Sequence, residues 1–184
     1  MDNGWFSVLI SLLYAYLSDT LNSKLFSETA SELGDLLEEK NLFITTAESC
    51  TGGWVSKELT SISGSSKWFG CGFVTYSNIS KNQLLGVSKE TLINYGAVSK
   101  NVVEEMTQGA LKLSGADLAI AISGIAGPSG GNERTPVGTV CLAWQFLGKK
   151  PESIIELFSG DRNLVRLKTV ERAILGCLKL VKSL

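Results

Sequence analysis

Apolar positions along this chain alternate between helical spacing and short continuous runs, the signature of amphipathic helices interleaved with buried strands. Ala30, Leu33, Leu36 and Leu37 recur at helical spacing, with Ser27 placed to cap them. Leu42–Thr46 reads as a short buried strand that runs into Ser49 and the pair Gly52-Gly53. Val55, Leu59 and Ile62 then return to helical spacing, so this stretch is strand, tight turn, helix. Phe69–Tyr76 is rich in aromatic and β-branched residues and predicts a second strand. Short helices are expected near Lys81–Leu85 and Lys89–Asn94, and a longer one after Ser99 with Val102, Val103, Met106, Ala110 and Leu113 on one face. Leu118–Ile122 is another buried strand, followed by a glycine-rich loop from Ser123 to Gly131. Val137–Phe146 and Ser153–Phe158, joined by a loop holding Gly148 and Pro151, predict an antiparallel strand pair. A final amphipathic helix starts at Arg162, capped by Asp161. Strands interleaved with helices give an α/β layered domain, and the antiparallel pair makes its sheet mixed.

Composition narrows the chemistry. At 184 residues the chain is long enough for one well-buried core, and 44% hydrophobic against 19% charged residues fits a globular domain. A net charge of -1 supplies no basic field for a phosphate backbone, which argues against nucleic acid as a partner. The four cysteines, Cys50, Cys71, Cys141 and Cys177, form no Cys-x-x-Cys pair; reduced thiols in a cytoplasmic protein are expected. Asn78-Ile79-Ser80 matches a glycosylation acceptor only in form. There is no histidine. Its absence removes Ser-His-Asp and Cys-His mechanisms and the commonest metal ligand, so proton transfer must fall to Lys, Tyr, Cys or carboxylates. Trp5–Leu17 is apolar over most of its 13 residues, too short to span a bilayer, for which roughly 20 are needed. We expect a helical extension over 1–24 that packs on the body or on a second copy, hence a homodimer without stable membrane insertion, preceding a domain over 25–184.

Four segments could carry chemistry. Ser49 precedes a helix whose first N–H groups lack intrahelical partners and could hold an anion or a developing oxyanion. Equally, Ser49 or Thr51 could do no more than cap that helix, with Gly52 and Gly53 shaping the turn. Tyr76-Ser77-Asn78-Ile79-Ser80-Lys81 brings a Tyr and a Lys near the end of a strand. As a base, Lys81 would have to be depressed from ~10.4 toward ~7–8 by burial or neighbouring charge; otherwise the segment is a surface turn. Ser123-Gly124-Ile125-Ala126-Gly127-Pro128, with Gly130-Gly131, could make room for a phosphate, although no Walker A pattern is present. Arg162 or Arg166 could grip a phosphate or carboxylate. No Gly-x-Gly-x-x-Gly fingerprint follows a strand, which disfavours a dinucleotide oxidoreductase.

Taken in order, six blocks resemble the CinA C-terminal domain family, the nicotinamide mononucleotide deamidases. They are Ala47 to Gly53, Tyr76 to Lys81, Gly96-Ala97-Val98-Ser99, Ser123 to Pro128 with Gly130-Gly131, Pro136-Val137-Gly138-Thr139-Val140, and Gly160-Asp161-Arg162. The likeness runs from about Leu25 to the C-terminus. It implies a three-layer α/β/α sandwich with a mixed, mostly parallel sheet. It also implies hydrolysis of the carboxamide of nicotinamide mononucleotide to nicotinate mononucleotide and ammonia, in pyridine-nucleotide salvage. Ser49 would be the nucleophile, with Tyr76 and Lys81 as proton-transfer partners and no metal or cofactor. Cys50, Thr51, Gly52, Gly53, Asn78, Ser123, Gly124, Ile125, Ala126 and Gly127 would lie at the substrate, with Arg162 near its phosphate. Cys71 and Ser123 stand where the family usually has glycine and threonine, and Thr135 where it usually has lysine. The competing expectation is a nucleotide-binding, regulatory module of the same type without turnover. A phosphohydrolase would want paired carboxylates for metal, and no such motif stands out.

Overall fold

A computed structural model describes residues 27–184. The expected helix at Trp5–Leu17, the boundary at residue 25 and the dimer contact built on that segment lie outside the described residues.

A helix over 27–39, α1, opens the described chain, and Ser27 is already helical rather than its cap. The remaining order is β1 (Ile44–Glu48), α2 (Trp54–Thr60), a 3-10 turn (Ser65–Lys67) and β2 (Phe69–Val74). Next come α3 (Asn78–Leu85), α4 (Lys89–Tyr95), α5 (Lys100–Ser114), β3 (Leu118–Gly124), β4 (Thr139–Phe146), β5 (Glu152–Leu157) and α6 (Arg162–Lys182). Every strand and helix predicted from 42 onward has its counterpart, displaced at the ends by a few residues. Serine side chains cap α3, α4 and α5, and Asp161 caps α6 by accepting from the Leu164 N–H at 2.8 Å.

The sheet runs β2-β1-β3-β4-β5. β1 lies parallel to both β2 and β3, whereas β4 is antiparallel to β3 and to β5. Four of the five strands therefore share one direction, although the pairings divide evenly between parallel and antiparallel. Side chains alternate across this sheet and feed two cores. Ile44, Leu118, Ile120, Ile122, Leu142 and Trp144 fill the face covered by α1, α2 and α6. The opposite face is lined by Ala47, Ala119, Ala121 and Ala143, small enough for α5 to lie close, with Leu85 of α3 in the same cluster. The result is a three-layer α/β/α sandwich.

Two close approaches set the spacing of these layers. A Cβ at Gly109 of α5 would fall on the Leu85 carbonyl, so this glycine is what lets α3 pack onto α5. On the other face Trp144 packs over Gly176 and donates its indole N–H to the Ala173 carbonyl at 2.8 Å. After β1 the chain crosses one face through α2 to reach β2, and after β2 it crosses the other face through α3–α5 to reach β3. The carboxyl ends of β1 and β3 thus border the point where connections diverge, the usual place for a ligand crevice in an open α/β sheet.

Candidate active site

The parallel ladder carries β1 one step further, because the Ser49 N–H donates to the Ile122 carbonyl at 3.0 Å. Ser49 falls on the same sheet face as Ala47, and Ser123 on the same face as Ala121, so the two serines end neighbouring strands side by side. A four-residue turn comes next, closed by the Gly52 N–H donating to the Ser49 carbonyl at 3.0 Å. Gly52 and Gly53 both have positive φ, 63° and 94°, which is why the strand can turn into α2 within so few residues.

Burial makes the environment of Ser49 unusual. On α3, Lys81 and Leu85 are four residues apart on the buried side, so a lysine occupies a core position with 1% of its surface exposed. Its Nζ donates to Ser49 Oγ at 2.9 Å and to the Thr75 carbonyl at 2.8 Å. Neither partner is a carboxylate. Removal from water therefore lowers the Lys81 ammonium from 10.5 to about 8, while its interaction with Cys50 works in the opposite direction. A neutral amine beside a serine hydroxyl can accept its proton, which is the arrangement of a serine–lysine pair.

A cavity of about 340 Å³ opens over this pair. Ser49, Cys50, Tyr76, Lys81, Ser123, Gly124, Ile125, Ala126, Gly127 and Arg162, all expected from the sequence, line it. Ala97, Val98, Ser129 and Gly130 join them from the loop before α5 and from the glycine-rich loop; all four lie within matched or glycine-rich stretches, where spacing alone does not mark them. Ser123 is 1% exposed, and its hydroxyl bonds to no other described residue. Arg162 donates to the Gly127 carbonyl at 2.8 Å and to the Tyr76 hydroxyl at 3.1 Å, joining two walls of the cavity. The Tyr76 hydroxyl is thus held by Arg162, and the residue is 60% exposed, whereas among the described residues it is Lys81 that bonds Ser49 Oγ.

Four expected ligand residues lie elsewhere. Asn78 starts α3 on its outer side and borders a separate groove with Ile79, Asn82 and Ile93. Thr51, Gly52 and Gly53 form the turn behind Ser49 rather than a cavity wall. Another expectation fails outright: the N–H groups at the start of α2 are not available to an oxyanion. The fully buried Glu48 carboxylate takes them, accepting from Gly53 N–H and Val55 N–H at 3.0 Å and from Ser56 N–H at 2.8 Å. It also accepts from the Ser56 hydroxyl at 2.7 Å. A carboxylate at a helix N-terminus is favoured by the helix dipole, and here it locks β1 to α2. The signal for this lock is an acidic residue at the end of an apolar strand just before a glycine turn. The N–H groups of Cys50 and Thr51, by contrast, hydrogen-bond to no other residue among those described.

Among the described residues no three His, Cys, Asp or Glu side chains are placed to share a metal ion, and no helix is long and apolar enough to cross a membrane.

Comparison with known proteins gives a consistent picture. The family model described as CinA C-terminal domain matches residues 26–181. Nicotinamide-nucleotide amidohydrolase PncC of Escherichia coli (strain K12) is 52% identical over 149 residues, covering 80% of this chain and 89% of that protein. The protein of the same name from Pseudomonas putida is 49% identical over 151 residues, covering 82% and 94%. The crystal structure of the competence damage-inducible protein A (ComA) from Klebsiella pneumoniae superposes with a TM-score of 0.81 at 40% identity, covering 84% of this chain and 95% of that one.

Proposed function

Since the chain belongs to the CinA C-terminal domain family, we propose that it is a nicotinamide-nucleotide amidohydrolase, releasing ammonia from nicotinamide mononucleotide and leaving nicotinate mononucleotide. Relatives about half identical over most of their length carry that activity in their names. The observation that carries the mechanism is the buried contact of Lys81 Nζ with Ser49 Oγ at 2.9 Å.

Neutral Lys81 takes the Ser49 hydroxyl proton as Oγ attacks the carboxamide carbon, so the C–O bond forms while the C=O π pair moves to oxygen. The oxyanion is met by the N–H groups of Cys50 and Thr51, which bond to no other described residue. Lys81, now an ammonium, returns its proton to the amide nitrogen; the C–N bond breaks and ammonia leaves. Water then attacks the acyl-serine with Lys81 again as base, giving the carboxylate and restoring Ser49. Tyr76 and Arg162 stand at the mouth, where the guanidinium with its remaining N–H donors suits the phosphate of a mononucleotide. Ser123 offers its hydroxyl to the carboxamide or ribose.

We place the enzyme in the cytoplasm, where its nucleotide substrate is held. The proposal also includes a homodimer through the apolar segment Trp5–Leu17, which sedimentation of the chain with and without residues 1–24 tests.

The test of function is direct. Nicotinamide mononucleotide is incubated with the protein while ammonia and nicotinate mononucleotide are measured, and calorimetry tracks binding in parallel. Stoichiometric formation of both products supports the amidase. Binding without either product over hours would favour the regulatory module instead.

A further inference from the structure

With Glu48 occupying the start of α2, the oxyanion must be held by the turn itself, and that turn is gripped from outside by a residue that never enters the cavity. Arg166, one helical turn beyond Arg162 on α6, donates Nε to the Cys50 carbonyl at 3.1 Å and Nη2 to the Thr51 carbonyl at 2.7 Å. Its guanidinium lies 5.1 Å from the centroid of the Trp54 ring, which fixes the plane of the fork. Arg166 itself is half-buried, and Val165, Thr169 and Val170 around it on α6 are fully buried, which anchors this part of the helix.

The direction of the two carbonyls decides the direction of two N–H groups. In a trans peptide C=O and N–H point opposite ways. Both carbonyls turn toward one guanidinium, so the N–H groups of Thr51 and Gly52 turn away from it together. The Gly52 N–H is seen to reach the Ser49 carbonyl at 3.0 Å, which identifies that side as the side of Ser49. The Thr51 N–H therefore faces the same way, and it has no acceptor among the described residues. Charge reinforces geometry. Hydrogen-bonding a cation to a carbonyl polarises the peptide and strengthens the N–H at its other end. The field reaches the cavity wall as well: burial pushes the Cys50 thiol up to about 12, and its own backbone N–H, then Lys81, then Arg166 work against that rise.

We propose that Arg166 is a positioning residue for the hydrolysis: it holds and polarises the Ser49–Gly52 turn so that the Thr51 N–H is aimed at the oxyanion formed on Ser49. The inference rests on Ser49 being the nucleophile of the amidase described above. A lysine cannot substitute, because one ammonium does not span two carbonyls with a planar fork or stack on Trp54 in the same way.

The experiment compares wild type with Arg166→Met and Arg166→Lys in two assays. The first is steady-state deamidation of nicotinamide mononucleotide. Donors that act on the transition state affect kcat rather than KM, so kcat falls by about 10²-fold or more in Arg166→Met while KM stays within about threefold. Arg166→Lys, which keeps the stem and the charge, still loses at least about tenfold. The second assay is the rate at which a small fluorophosphonate labels Ser49, monitored by intact-protein mass. It needs no turnover, yet uses the same N–H groups for the phosphonyl oxygen, and it falls in the same proportion. A purely structural role would lower the melting temperature without this shared loss. If the folded variants label and turn over within about threefold of wild type, the proposal is overturned. If wild type labels at Ser49 but releases no ammonia, the substrate assignment falls while the labelling ratio still decides Arg166. If wild type does not label at Ser49, the nucleophile and this proposal fall together.

Discussion

Activity should titrate with Lys81. The lysine is 1% exposed, its amine bonds a serine hydroxyl and a backbone carbonyl among the described residues, and burial holds its ammonium near 8. Only the neutral amine can accept the Ser49 proton, so kcat/KM should rise with pH to a plateau with a midpoint near 8. Each pH unit below the midpoint then costs about tenfold, which puts the rate at pH 6 roughly 100-fold under the plateau. The second ionisation of the substrate phosphate, near ~6, lies well below this limb and cannot be mistaken for it. Initial rates of ammonia release at subsaturating nicotinamide mononucleotide, in constant ionic strength between pH 6 and 9.5, give the profile. Fluorophosphonate labelling of Ser49 should trace the same limb, because the same proton must leave. A profile flat from pH 6 to 9 would refute the assignment of Lys81 as the base, and one still rising at pH 9.5 toward the ordinary lysine value would refute the lowering of its ammonium by burial.

The same packing sets three further outcomes. A lysine whose folded pKa is lowered binds fewer protons folded than unfolded between the two values, so wild-type stability gains as pH rises from about 8 toward 10.5. Lys81→Met has no such proton to lose, and its stability relative to wild type should be more favourable at pH 7 than at pH 10 by on the order of 3 kcal/mol in urea titrations; a pH-independent difference would contradict the buried ammonium. Glu48→Gln turns one acceptor oxygen of the α2 lock into an N–H₂ group facing donors. It should cost about 2–4 kcal/mol in chemical denaturation, and a variant as stable as wild type would show that the lock is not needed. Gly109→Ala places a methyl on the Leu85 carbonyl and pushes α3 from α5. It should lose about 1–3 kcal/mol or more of stability together with activity, since α3 carries Lys81; wild-type activity would mean that α3 moves without disturbing the pair.

Most of the fold can be read from the chain because its periodicities are unambiguous. Leu118–Ile122 is apolar throughout because that strand is covered on both faces, and the spacing of Val102, Val103, Met106 and Ala110 marks the face of α5 that meets the alanine side of the sheet. The strand ends are less legible: β1 begins two residues later than its apolar run, since Leu42 and Phe43 belong to the turn from α1, where Phe43 N–H bonds the Asp117 carboxylate at 2.8 Å. Within the site, Ser49 and Lys81 are legible as candidates, and a lysine four residues before Leu85 on a short helix is the clue that it faces inward. What spacing cannot separate is the task of Lys81 from that of Tyr76. That depends on which side chain is buried against Ser49, and the tyrosine ring instead points out to Arg162. Nor can sequence tell Arg162 from Arg166. They are one helical turn apart on α6, but one reaches the cavity and the other the carbonyls behind it. Glu48 is hidden for a related reason: it caps α2 from within a strand rather than from the position just before the helix, so no capping pattern announces it.

Ser49 is proposed as the nucleophile that opens the nucleotide carboxamide. That role is tested most directly by nicotinate mononucleotide formation from nicotinamide mononucleotide at pH 8.5, comparing wild type with Ser49→Ala. The small, buried substitution leaves β1 and its turn in place. Steady turnover by wild type and a loss of at least about 10³-fold in Ser49→Ala is the predicted result. An alanine variant within about tenfold of wild type would contradict it.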